Sequence, residues 1–176
     1  MRFIFSKKEA CNRGFTLLEL LLYLGLAAAV LSVISGLFLM LLQARIKNQT
    51  IREVEQQGAQ IVNLVTQTVR NSQEINAPQK GQTGEQLSLK VDDANRTPTI
   101  FSFSSGTLYM TEGAQSSIAL SSSKITISNL TFSNLSLDNT PGTIRIQFTI
   151  SHKNEASRNE YDYSQTIWAS ASLRHP

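Results

Sequence analysis

The residues of this chain that could do chemistry stand together near its start: Gly14, then Phe15, and four positions further on the carboxylate of Glu19. From Phe15 to Leu42 the only ionisable side chains are Glu19 and the phenol of Tyr23. A run this long and apolar reads as a membrane-crossing helix. A carboxylate inside such a helix costs roughly 2.5 kcal/mol or more on insertion scales, so its default reading is functional, with a partner to be named. The plainer account is a glutamate that snorkels to the headgroups from near a helix end.

Gly14-Phe15-Thr16-Leu17-Leu18-Glu19 resembles the processing site of type IV prepilins and pseudopilins. The resemblance implies that a prepilin peptidase cuts after Gly14 and methylates the new amine of Phe15. It also implies that Glu19 pairs with the N-terminal amine of a neighbouring subunit and sets axial register during filament assembly. Elementary electrostatics agrees with that role. An α-amino group with an ordinary pKa of about 8 is largely protonated at neutral pH. In lipid, each charge lowers the cost of burying the other.

The elements that must position these residues follow from the rest of the chain. Residues 1–14 read as a prepilin leader carrying Arg2, Lys7, Lys8 and Arg13 against Glu9. A basic flank before a first span is retained in the cytoplasm, so the remainder should face outward. An ordinary secretory signal fits less well, because the apolar run is too long and no small-residue cleavage site follows it before Gln43. Removing four bases and one acid from totals of 16 and 13 leaves 12 of each, so the basic balance of the whole chain gives no support for a nucleic-acid face. The single Cys11 also lies in the leader, which excludes disulfides and thiolate metal sites from the mature chain. His152 and His175 are isolated and read as surface residues.

Residues 15–42 are expected to form the transmembrane half of an N-terminal helix and residues 43–75 its amphipathic half. In the second half Ile51, Val54, Gly58, Ile61, Val65 and Val69 recur at spacings of three and four. A single helix from Phe15 to about Ser72 would be on the order of 85 Å long, too long to be a span alone. Within the span Gly25, Ala29, Ser32 and Gly36 line one face with small residues, as helices that pack closely in lipid do. Gly36 stands where many major pilins have a proline, which leaves a weak point in the helix without dictating a kink.

Residues 76–86 read as a helix stop and linker, and residues 76–176 as a β-rich head. The period there changes to two: Leu87/Leu89/Val91, Phe101/Phe103, Leu108/Met110, Ile118/Leu120, Ile125/Ile127, Leu130/Phe132, Ile144/Ile146/Phe148/Ile150 and Tyr161 through Ala171. Ser104-Ser105-Gly106 suits a hairpin turn. The expected fold is α+β, the helix stripe laid on an antiparallel sheet with one apolar face, in the lollipop shape of a pilin.

The Phe-Thr-Leu-Leu-Glu start, Val65 to Asn71 at the helix end, Asn129-Leu130-Thr131-Phe132 with Thr143-Ile144-Arg145-Ile146, and the closing Gln165 to Arg174 look like J-type pseudopilins of type II secretion and W-type minor pilins. The resemblance implies a structural or priming subunit of a pilus, a type II secretion pseudopilus or a DNA-uptake (competence) filament. It implies other major and minor pilins, the prepilin peptidase, the inner-membrane assembly platform and the lipid bilayer as partners. The alternative is a membrane-anchored extracytoplasmic adhesin, or a protein presented by such a filament to bind a substrate, a surface receptor or DNA. No cofactor is expected. Asp92-Asp93 reads as a solvated turn rather than part of a calcium site, and the sequons at Asn48, Asn95, Asn129 and Asn134 carry little weight in a chain so rich in Asn, Ser and Thr. With no Ser/His/Asp set, phosphate loop or zinc spacing, the chain reads as an assembly protein rather than an enzyme.

Overall fold

A computed structural model describes residues 14–174. Among them the chain is one helix, α1 (Leu17–Arg70), followed by antiparallel sheet, an α+β order. One compact unit ends at Leu42 and a second runs from Gln43.

In the first unit α1 is apolar on all sides, and its leucines, together with Val30, Ile34 and Phe38, are exposed. Its length and composition suffice to cross a membrane. In the second unit α1 buries a ridge of Thr50, Val54, Gly58, Ile61, Val65 and Val69, one residue per turn. Ile51, expected on this stripe, is only half buried. Thr50 sits there instead, its hydroxyl donating to the Ile46 carbonyl at 3.1 Å, so the buried position leaves no polar group unpaired.

The helix stops earlier than its sequence suggests. The buried Ser72 hydroxyl donates to the Val69 carbonyl at 2.7 Å, satisfying one of the groups a helix end leaves open, and Ser72–Ala77 is already strand β1. The expected helix through residue 75 and linker over 76–86 are therefore both corrected. That stretch holds the end of β1 and the short β2 (Thr83–Gly84). It is tied down by Asn134, whose side-chain amide donates to the Pro78 carbonyl at 2.8 Å while its backbone exchanges bonds with Gly81 and Gln82. A partner more than fifty positions away is invisible to local pattern.

Seven further strands follow: β3 (Leu87–Val91), β4 (Thr99–Ser104), β5 (Thr107–Glu112), β6 (Ile118–Ala119), β7 (Ile125–Asn134), β8 (Thr143–His152) and β9 (Ser164–Ser172). They form two sheets rather than the one expected, in the orders β1-β3-β4-β5-β6 and β2-β7-β8-β9. The β4–β5 hairpin turns at Ser105 and Gly106, both at positive φ, the pair of values a tight two-residue hairpin requires. Ile127 N–H then donates to the Gly106 carbonyl at 2.8 Å, joining one sheet to the other. The pairs Ile125/Ile127 and Leu130/Phe132, read as separate strands, are one strand. Their alternation changes phase because the register slips between Ser128 and Thr131, with Asn129 at φ 52°, so a bulge keeps both pairs facing the core.

One core joins the α1 ridge to both sheets, with Phe101 and Leu108 from one and Phe132, Phe148 and Ile150 from the other fully buried. Gly58 marks the closest approach of helix to sheet, since a Cβ there would run into the end of the Ile167 side chain. The Ile167 methyl can turn aside for one carbon, and alanine is worth up to about 1 kcal/mol over glycine in a helix. Gly58→Ala is therefore expected to change stability by less than about 1 kcal/mol, whereas Gly58→Leu overpacks the contact and should cost about 1–3 kcal/mol. Urea unfolding of the full chain in detergent micelles measures this; a leucine variant as stable as the parent would show that the contact yields.

Candidate functional site

Thr16 caps α1. Its hydroxyl accepts the Glu19 N–H at 3.2 Å, the first half of the Thr-x-x-Glu capping arrangement, and Glu19 lies in the first turn, where a negative charge complements the helix dipole. The Glu19 carboxylate does not turn back to the cap. It accepts the Tyr23 hydroxyl at 3.3 Å one turn further on. The Phe15 ring meets Tyr23 edge-on with centroids 6.1 Å apart. Residues 15, 19 and 23 thus share one face, and the structure brings Phe15 and Glu19 together through a side chain that the sequence marks only as a lone phenol. The signal was present in the i, i+4, i+8 spacing.

Gly14 is exposed immediately before the helix. Among the described residues Glu19 makes no ion pair. The site is therefore a half-buried carboxylate with a single hydroxyl donor, at a helix end whose own partial charge is positive. An ammonium placed there meets that positive end, which disfavours it, and gains from a carboxylate one turn along.

Of the small-residue face, Gly25 and Gly36 have open space where a side chain would stand. Ser32 returns its hydroxyl to the Ala28 carbonyl at 2.9 Å, so it presents no unsatisfied donor. Gly36 is in unbroken helix.

In the second unit, expectation is corrected at His152. It is not a free surface residue: only 10% of its side chain is exposed. It stacks on Tyr161 with centroids 5.2 Å apart, Nδ1 lies 2.8 Å from the Lys153 carbonyl and Nε2 lies 3.9 Å from Glu53 of α1. Glu53 also faces Lys124 at 3.6 Å, and these side chains line an open recess of about 330 Å³ with Ile46 and Gln49. Lys47, six residues before Glu53 on α1, donates to the Asn159 and Asp162 carbonyls at 3.0 and 3.2 Å. The cluster fastens α1 to the loop between β8 and β9. Sequence could not show this, because the ring is buried by a helix a hundred residues away. Beyond it, Arg158 lies over the Tyr161 ring at 5.6 Å and bonds Glu160, whose carboxyl is held below the usual range by its own backbone N–H and by that guanidinium.

Asp92 accepts from Gln73, and Asp93 accepts the Asn95 N–H at 2.9 Å, the local bond of an Asx turn. Among the described residues no group of three or more His, Cys, Asp or Glu side chains could hold a metal ion. His175 and residues 1–13, including Cys11, lie outside the described residues. No family model, curated protein or solved structure matches this chain.

Proposed function

We propose that this chain is a minor subunit of a type IV filament, a pilin or pseudopilin whose head is displayed outside the cytoplasmic membrane and whose apolar half-helix enters a filament. The observation that carries the reading is the placing of Gly14, Phe15 and Glu19 at the capped start of a helix that is apolar on all sides. A cut after Gly14 frees an amine one residue from the cap, on the face that already holds Glu19. A plain signal anchor needs neither the glycine before the apolar run nor a carboxylate inside it. The α+β order, one long helix and then antiparallel sheet, supports the same reading.

Under this reading Met1 to Gly14 is removed, Phe15 is N-methylated, and the prepilin peptidase, an assembly platform and other pilins are the partners. Intact-mass analysis of the protein from its native membrane should give a chain beginning at N-methylated Phe15, and Gly14→Val should leave the longer precursor. A wild-type mass that retains Met1 while the host peptidase is active refutes the proposal.

A further inference from the structure

Of the four outer strands of the two sheets, three are blunted. β2 and β6 are two residues long, and β1 carries two register shifts. Short strands and bulges are the ordinary means of keeping a sheet edge from pairing with another chain. β9 has none of them. Ser164–Ser172 runs nine residues in unbroken register against β8 and contains neither a charge nor a proline.

The pairing shows which backbone groups β9 leaves free. His152 N–H bonds the Tyr163 carbonyl at 3.2 Å and Leu173 N–H bonds the Gly142 carbonyl at 2.8 Å, so the odd-numbered residues of this strand exchange bonds with β8. Hydrogen-bonded positions alternate in an antiparallel pair. Ser164, Thr166, Trp168, Ser170 and Ser172 consequently turn their N–H and C=O groups away from the sheet. None of these groups has a partner among the hydrogen bonds of the described residues. At the end of β9 an open recess of about 650 Å³ is lined by Ser170 and Ser172, by Gln67 and Arg70 of α1, by Asn71 just past the helix and by Arg174. Arg174 N–H donates to the Arg70 carbonyl at 3.2 Å, so two guanidinium side chains share this end, and neither makes an ion pair among the described residues.

We propose that the edge of β9 docks an extended strand from a partner protein, added to the sheet by main-chain hydrogen bonds, with an acidic residue of that strand against Arg70 and Arg174. The free backbone ladder specifies an extended segment and little of its sequence. The paired arginines specify a carboxylate at one end. A second copy of β9 fits less well. Lys47 lies beside the residues before β9 and Arg70 beside those after it, so α1 and β9 run the same way in this unit. A two-fold β9–β9 pair would set these stretches of α1 in opposite directions, and β9 itself carries no carboxylate to meet Arg70 and Arg174. The proposal stands on the second unit alone and holds whether or not Gly14 is a processing site.

Trp168 is the only tryptophan of the chain and is 65% exposed on β9, so its emission reports this strand. The full chain in detergent micelles is titrated with blocked peptides of alternating Thr and Val, seven residues long, carrying Asp at the first or the last position, and with the matching Lys peptides. One Asp peptide should produce a saturable blue shift, and the Lys peptides should bind more weakly. Proline at Ser170 or Thr166 removes an outward N–H while leaving the β8 ladder intact. Either variant, shown by circular dichroism to keep its sheet, should weaken binding by about ten-fold or more, the loss of one main-chain bond with a blocked edge. Arg70→Glu with Arg174→Glu should reverse the preference to the Lys peptide. No shift with any peptide, or equal binding by the charge-reversed chain and the parent, overturns the proposal. So does a shift that rises with protein concentration in the absence of peptide and is lost in Ser170→Pro, since the occupant is then a second copy.

Discussion

Phe148→Ala should lower the unfolding free energy of the unit that begins at Gln43 by about 3–5 kcal/mol, the range for emptying a buried phenylalanine site. Phe148 is fully buried at the middle of β8, a strand paired on both sides, by β7 and by β9. Its register partner on β9 is Ile167, the residue that also meets Gly58. The space left by the ring is bounded by a paired strand on each side, which cannot move in without breaking ladder bonds, and by α1, which is held by the rest of its buried ridge. Collapse should be small and the cost near the upper end. Domains of this kind are held by about 5–15 kcal/mol in total, so the variant forfeits a large fraction of the whole. Gln147→Ala is the control, one residue away on the exposed face, and should change stability by less than about 0.5 kcal/mol. Urea unfolding in micelles, followed by the emission of Trp168, reads both variants. A loss below 1 kcal/mol for Phe148→Ala would show that the core is not shared between helix and sheet as described.

The parts of the fold legible in the sequence are those with a local period. The α1 ridge repeats every three to four residues, and the strands carry period-two apolar runs that need no knowledge of their neighbours. What escaped reading depends on contacts between distant residues. β1 is strand because it pairs with β3 and because Ser72 ends the helix, whereas its own residues give no clear alternation. The bulge at Asn129 was visible as a change of phase in the apolar positions, and a phase change can also be read as two strands. His152 looked isolated because Glu53 and Tyr161 reach it only after folding. Division into two sheets is set by which strands pair, with β2 leaving its sequence neighbours to join β7, and side-chain pattern says nothing about that choice. At the candidate site the motif from Gly14 to Glu19 is legible in the sequence, whereas a phenol in an apolar run has many uses and its type alone does not mark Tyr23 as the partner of Glu19.

Glu19→Ala is expected to separate membrane anchoring from assembly. Removing the carboxylate takes away a group that costs roughly 2.5 kcal/mol or more in a spanning helix, so insertion should be at least as efficient as in the parent. The second unit begins at Gln43 and should fold unchanged. The helix start loses an acidic residue in its first turn, worth about 0.3–1 kcal/mol, while the Thr16 cap still accepts the backbone N–H of residue 19. Assembly should suffer far more. If a neighbouring chain presents its N-terminal ammonium in lipid, leaving that charge without its carboxylate costs several kcal/mol, enough to reduce incorporation by a hundred-fold or more on the order of 3 kcal/mol. Tyr23→Phe distinguishes this from a local effect. It removes the hydroxyl that Glu19 accepts but keeps the charge, so it should cost about one hydrogen bond, about 0.5–1.5 kcal/mol, and leave most incorporation intact. The measurement is recovery of the proteins crosslinked to the apolar half of α1 with each variant in the native host, at equal expression and with the N-terminus of each variant compared by mass. Undiminished recovery with Glu19→Ala would mean that the carboxylate meets no neighbouring cation. Glu19 would then serve only its own helix, through Tyr23 and the first-turn dipole, and the chain would be a membrane-anchored protein whose contacts lie in the second unit.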